Sequence, residues 1–210
     1  MLETIAKGFL IGLLVSSPMG PINLLTIQRT LNRGRWHGFV SGLGAMLSDL
    51  TYTIFTLLGL SFVSQLLNEY ELQLLLFGSV ILILFGLVVF HSNPLKGWQP
   101  DVLLKESRYF KDFISAFLLT FSNASIILAL IGLYTRFSFN PFSEGITTLI
   151  IALFSFFIAA LFWWFMLTTI VSRFRKKFKR NGLILLNRVV GSIFILIGLG
   201  GIILNLTPLT

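Results

Sequence analysis

Asp49 stands inside residues 39–63, a stretch of helical length that is otherwise apolar, and no other acid falls inside a stretch of that kind. If such a helix crosses a bilayer, an ionised carboxyl near its centre costs at least about 2.5 kcal/mol, so acids there mark ion or substrate paths or hold a specific partner. Asp49 could carry a proton or face a cationic group; the plainer alternative is a neutral acid bonding a neighbouring helix. Tyr52 follows three residues later, close to one helical turn, where its hydroxyl could reach the carboxyl or line the same space. An ordinary buried tyrosine is the competing reading.

A second chemical feature is the run Ser16-Ser17-Pro18-Met19-Gly20-Pro21. Pro21 lacks an amide hydrogen and clashes with the carbonyl four residues back, while Gly20 tolerates almost any backbone angle, so a continuous helix should open here. Proline is well suited to the first helical position, so Pro21 should start a new half-helix running toward Gln28. Its free amides and positive dipole end would point into the membrane, an arrangement suited to a carboxylate or another small anionic group. A proline kink shaped for packing is the alternative. Ser122-Asn123-Ala124-Ser125 forms a comparable polar cluster later in the chain. Ser122 and Asn123 could cap a half-helix there, or the helix could run on and its polar groups bond a neighbour.

The elements that must position these residues are membrane helices. Mean hydropathy is +0.89, with 55 % hydrophobic and 11 % charged residues in 210. Six stretches, 5–27, 39–63, 72–90, 113–133, 146–171 and 183–206, approach or exceed the roughly 20 apolar residues that span about 30 Å of hydrocarbon. The connections are short and leave no room for a soluble catalytic domain, so residues 1–210 should form a single membrane domain. The first stretch reads as a retained span, because its leading segment carries Glu3 and no A-x-A cleavage pattern follows.

The net charge of +8 does not indicate nucleic acid, because the basic residues sort by loop. Arg29, Arg33 and Arg35 follow the first span; Lys96, Lys105, Arg108 and Lys111 follow the third; Arg173, Arg175, Lys176, Lys177, Lys179, Arg180 and Arg188 flank the gap after the fifth. By the positive-inside rule these loops are cytoplasmic and both termini extracytoplasmic. The run from Arg173 to Arg180 serves as a topology anchor or binds anionic membrane lipid. Gly38 and Gly42, and Gly191, Gly198, Gly200 and Gly201, should permit close helix approach.

Cysteine is absent, which removes thiol relays, disulfides and thiolate metal sites. His37 and His91 have no second ligand at helical spacing, so no metal and no cofactor is expected. Without a nucleophile–base pair or paired intramembrane carboxylates, an enzyme is not expected either.

The chain divides into halves at about 1–90 and 113–206, joined by the polar linker 91–112. Three spans per half is an odd number, so the halves would insert in opposite senses, as in an inverted repeat. The expected fold is an all-α integral membrane protein with six transmembrane helices in two inverted three-helix repeats.

Pro18-Met19-Gly20-Pro21-Ile22-Asn23, Arg29-Thr30-Leu31, Arg33-Gly34-Arg35, Gly42-Leu43-Gly44-Ala45 and Asp49 resemble the lysine-exporter (LysE) family. So do the run from Phe117 to Asn123, Trp163-Trp164, and Asn187-Arg188-Val189-Val190-Gly191. The resemblance spans nearly the whole chain in order. It implies a secondary exporter of amino acids or related small metabolites in a bacterial inner membrane, coupled to protons or the membrane potential, and a homodimer. The candidate substrate-binding residues are Pro18, Gly20, Pro21, Asn23, Tyr52, Ser122, Asn123 and Ser125; Asp49 is the candidate ion-coupling residue. Ala124 stands where the family usually has proline. A different function class, a lipid-handling or assembly protein with a laterally open groove, would use the same helices.

Overall fold

The computed structural model describes residues 1–62, 71–92, 109–123, 126–173 and 180–206. Among them the chain forms eight helices: α1 (Leu2–Ser16), α2 (Pro21–Arg33), α3 (Arg35–Phe62), α4 (Glu71–His91), α5 (Tyr109–Phe121), α6 (Ile126–Arg136), α7 (Ile146–Arg173) and α8 (Arg180–Leu206). The predicted site residue Ser125, the neighbouring Ala124 and most of the linker and basic run lie outside the described residues.

Among the described residues, α3, α7 and the Asn187–Leu204 part of α8 are long and apolar enough to cross a membrane. Neither α3 nor α7 contains a proline over its 28 residues, and at 1.5 Å per residue each reaches about 42 Å. The first and fourth predicted spans are not straight helices. α1 and α2 meet at 76° and α5 and α6 at 68°, and counting each bent pair as one span brings the number to five. The third predicted span is α4, whose apolar part, Leu75–His91, is shorter than the others.

Apolar side chains such as Phe77, Phe154 and Leu196 are exposed, as expected of a multi-pass membrane protein whose outer surface meets lipid tails. The described helices pack most extensively as α4 against α8, α3 against α5 and α1 against α7, followed by α4 against α6, α2 against α3 and α3 against α7. Exchanging the first four helices with the last four turns the α3–α5 contact into α7–α1 and returns α4–α8 and α3–α7 to themselves. One departure stands out, in that α2 packs on α3 while α6 packs on α4.

Small residues allow these approaches. A Cβ at Gly191 would lie 2.7 Å from the Gly86 carbonyl oxygen, and one at Gly198 would lie 2.6 Å from that of Ser79. Gly42 gives the same clearance to the ring of Trp164, where a Cβ would come within 2.6 Å. Gly200, by contrast, would meet nothing within 4 Å.

Candidate functional site

The first break is built by the two prolines. Pro18 cannot donate to the Leu14 carbonyl as a helical amide would, and the Ser17 hydroxyl takes that acceptor instead at 3.2 Å. Pro21 opens α2 at its first helical position, and no side chain caps the helix. Gly20 is at φ −97°, ψ −171°, extended backbone that any residue adopts and that a following proline favours. A Cβ there would meet nothing within 4 Å. The freedom of glycine is therefore not what opens the helix.

Three side chains hold the opened segment. Asn23 Nδ2 donates to the Pro18 carbonyl at 2.8 Å, and Asn23 Oδ1 accepts from Trp163 Nε1 at 3.5 Å. Asn187 on α8 accepts from the Met19 amide at 2.7 Å through Oδ1. Its Nδ2 donates to the Met19 carbonyl at 3.3 Å and to Ser92 Oγ at 2.7 Å. One buried asparagine thus ties α8 and the end of α4 to the break.

The second break forms where proline is missing from the sequence. α5 ends at Phe121, the Ser122 hydroxyl turns back to the Leu118 carbonyl at 2.8 Å, and the Asn123 amide donates to the Thr120 carbonyl at 2.9 Å. The last α5 carbonyl, that of Phe121, accepts a hydrogen bond from the Tyr52 hydroxyl, and the Tyr52 and Phe121 rings stack at 5.1 Å. Tyr52 therefore fastens a helix end, and it is not among the residues lining the cavity that the breaks enclose.

That cavity has a volume of about 790 Å3 and brings Pro18, Gly20, Pro21, Asn23, Asp49, Ser122 and Asn123 together. The uncapped N-terminus of α2 faces it through Gly20, Pro21, Ile22 and Asn23. Asp49 is 3 % exposed, and its Oδ1 has no hydrogen-bond partner among the described residues. Ser16 Oγ and Trp164 Nε1, on two further lining residues, are likewise buried and unpartnered. The cavity thus brings a carboxyl-bearing residue and the dipole-positive start of a helix around a space of metabolite size. Trp164 and Asn187 were visible in the sequence only as parts of a resemblance; their contacts at long range give them their place.

A buried acid that the sequence did not single out lies at the other end of α2. Asp112, fully buried, receives Arg29 Nε at 3.2 Å, Arg33 Nη1 at 3.0 Å and His37 Nδ1 at 2.7 Å. Arg29 also donates to Ser41 Oγ, to the Asp112 carbonyl and to Ser115 Oγ, each at 2.8 Å. The cluster locks α2, α3 and α5 together. Its signal was present: Arg29 and Arg33 fall one turn apart with His37 another four residues on, a concentration of cations that needs an acid once buried.

A family model described as "LysE type translocator" matches residues 13–203. A curated protein of Bacillus subtilis (strain 168), "Putative amino acid efflux protein YcgF", is 35 % identical over 130 residues, covering 59 % of this chain and 58 % of that protein. The match thus spans less than two thirds of the relative's length. No solved structure matches the chain.

Proposed function

The chain belongs to the LysE type translocator family, and from that premise we propose that it exports amino acids or closely related small metabolites, driven by protons or the membrane potential. The relative named for amino acid efflux supports the substrate class. The observation that carries the reading is that the uncapped start of α2 and the unpartnered carboxyl of Asp49 line one cavity. A zwitterionic amino acid has the two opposite poles that such a cavity can receive: its carboxylate suits helix amides and its ammonium suits Asp49.

Asp49 also supplies a coupling device. A proton and a substrate ammonium compete for the same carboxyl, so the site holds one or the other. Among the described lining residues Asp49 is the one charged side chain. Each proton entering with the potential supplies about 2.3 kcal/mol per 100 mV, and a tenfold substrate gradient costs about 1.4 kcal/mol. One proton per zwitterion therefore sustains well over tenfold export.

We read the architecture as six spans in two inverted repeats, with cytoplasmic basic loops, both termini outside, and a bacterial inner membrane as the location. α4, at 21 residues, rises about 32 Å and completes the six. The helix contacts that survive exchange of the halves support the repeat. Departure from that exchange fits one transport state: α6 closes onto α4, while the corresponding face beside α2 borders the cavity. In proteoliposomes, Asp49→Asn should exchange labelled amino acid only with a raised KM and should fail to concentrate it under an imposed proton gradient. Accumulation equal to wild type would remove Asp49 from coupling.

A further inference from the structure

The residues that share the cavity with Asp49 are largely uncharged and apolar. Apart from Asp49, the described lining carries no Asp, Glu, Lys, Arg or His. Several of its polar groups are spent on the protein itself, while Ser16 Oγ and Trp164 Nε1 have no partner among the described residues. Asn23 serves Pro18 and Trp163, Asn187 serves Met19 and Ser92, and Thr120 and Ser122 turn back to their own helix. Leu25 of α2, Phe85, Val88 and Val89 of α4, Leu119 of α5 and Ile126 of α6 are among the apolar residues of the wall.

Building on the exporter reading, we infer that this cavity takes neutral amino acids with apolar side chains and rejects those with basic or acidic ones. Asp49 is needed for the α-ammonium, so a lysine or arginine side chain would enter without a counter-charge. A carboxylate side chain would find no cation. An unpaired charge moved from water to such a wall is costly, whereas each buried methylene gains about 0.8 kcal/mol. Selection then follows from a single carboxyl: it is satisfied once, by the group all amino acids share, and the remaining surface reads the side chain by hydrophobicity.

Counterflow in proteoliposomes tests this directly, with vesicles preloaded singly with leucine, isoleucine, valine, methionine, lysine, arginine or glutamate and tracer uptake of the same compound followed. Exchange of at least one apolar amino acid should exceed that of lysine, arginine and glutamate by tenfold or more, a difference of about 1.4 kcal/mol. N-acetyl-leucine and leucinamide, each lacking one pole, should inhibit leucine exchange at least tenfold more weakly than leucine. Gln28→Glu, at a lining position on α2, adds a second carboxyl without changing size and should raise the ratio of lysine to leucine exchange at least tenfold. Lysine or glutamate exchange in the wild type as fast as any apolar amino acid would overturn the selectivity and leave the exporter intact. So would a ratio of lysine to leucine exchange in Gln28→Glu equal to that of the wild type. Failure of every amino acid to exchange would overturn the exporter reading itself.

Discussion

The two interrupted helices bend by nearly the same angle, 76° and 68°, yet by different means. Between α1 and α2 the interruption is local: Pro18 and Pro21 forbid helical hydrogen bonds, and Ser17, one residue away, takes the carbonyl that Pro18 leaves. Between α5 and α6 the described residues contain no proline. There the chain turns on Ser122 and Asn123, and the final carbonyl of α5 is held by Tyr52 from α3, 69 residues distant. Proline writes a break into the sequence where it occurs, whereas a polar break depends on what the rest of the fold brings to the helix end.

The same contrast extends to the far ends of the half-helices. α2 is clamped to α3 and α5 by ions around the fully buried Asp112. The end of α6 is instead packed against α4 and met by Lys7, whose Nζ donates to the Phe137 carbonyl at 3.1 Å. Removing one member of a buried ion cluster leaves the others uncompensated, which costs about 3–5 kcal/mol. Asp112→Asn should therefore give the largest loss, read as thermal unfolding of the purified protein. Glu3→Gln, which breaks only the exposed Lys7–Glu3 pair, should leave the unfolding temperature unchanged. Equal effects of the two substitutions would erase the distinction between an ionic end and a packed one.

These differences set what could be read from the sequence. Helical membrane segments, the Pro18–Pro21 break and the isolated acid at 49 were legible because each depends on residues within a few positions of one another. The ends of the second interrupted helix were not fixed in advance, since Ala124 removed the local signal and Tyr52 acts from another helix. Gly20 was credited with a freedom it does not use; Pro18 and Pro21 suffice. Asp112 escaped notice because it sits at the edge of a polar linker, where acids are ordinarily solvated, and its burial depends on Arg29, Arg33 and His37 more than 70 positions away. Asn187, too, gains its place only from contact with Met19, 168 residues away.

Asn187 offers the next test, because it shows that even the proline break is steadied from the opposite half. In Asn187→Ala the buried Met19 amide loses its acceptor and Ser92 loses a donor, and leaving a buried group unmatched costs about 1–3 kcal/mol. The expected outcome is a loss of unfolding temperature smaller than that of Asp112→Asn. Should Asn187→Ala be silent, the first break would be wholly local and the contrast with the second would be sharper still.

Tyr52→Phe should have the smallest effect, and it decides what Tyr52 does. The substitution removes the hydroxyl that donates to the Phe121 carbonyl and keeps the ring that stacks on Phe121 at 5.1 Å. A single neutral hydrogen bond contributes about 0.5–1.5 kcal/mol, and the freed carbonyl belongs to an exposed residue at a helix end that Ser122 and Asn123 still shape. The second break should therefore loosen without disappearing, with a modest fall in unfolding temperature. Because Tyr52 lies outside the cavity lining, the KM of exchange should stay at the wild-type value while the maximal rate falls slightly. A several-fold rise in KM at unchanged stability would instead mean that the hydroxyl reaches the substrate, and that this helix end holds without its distant partner.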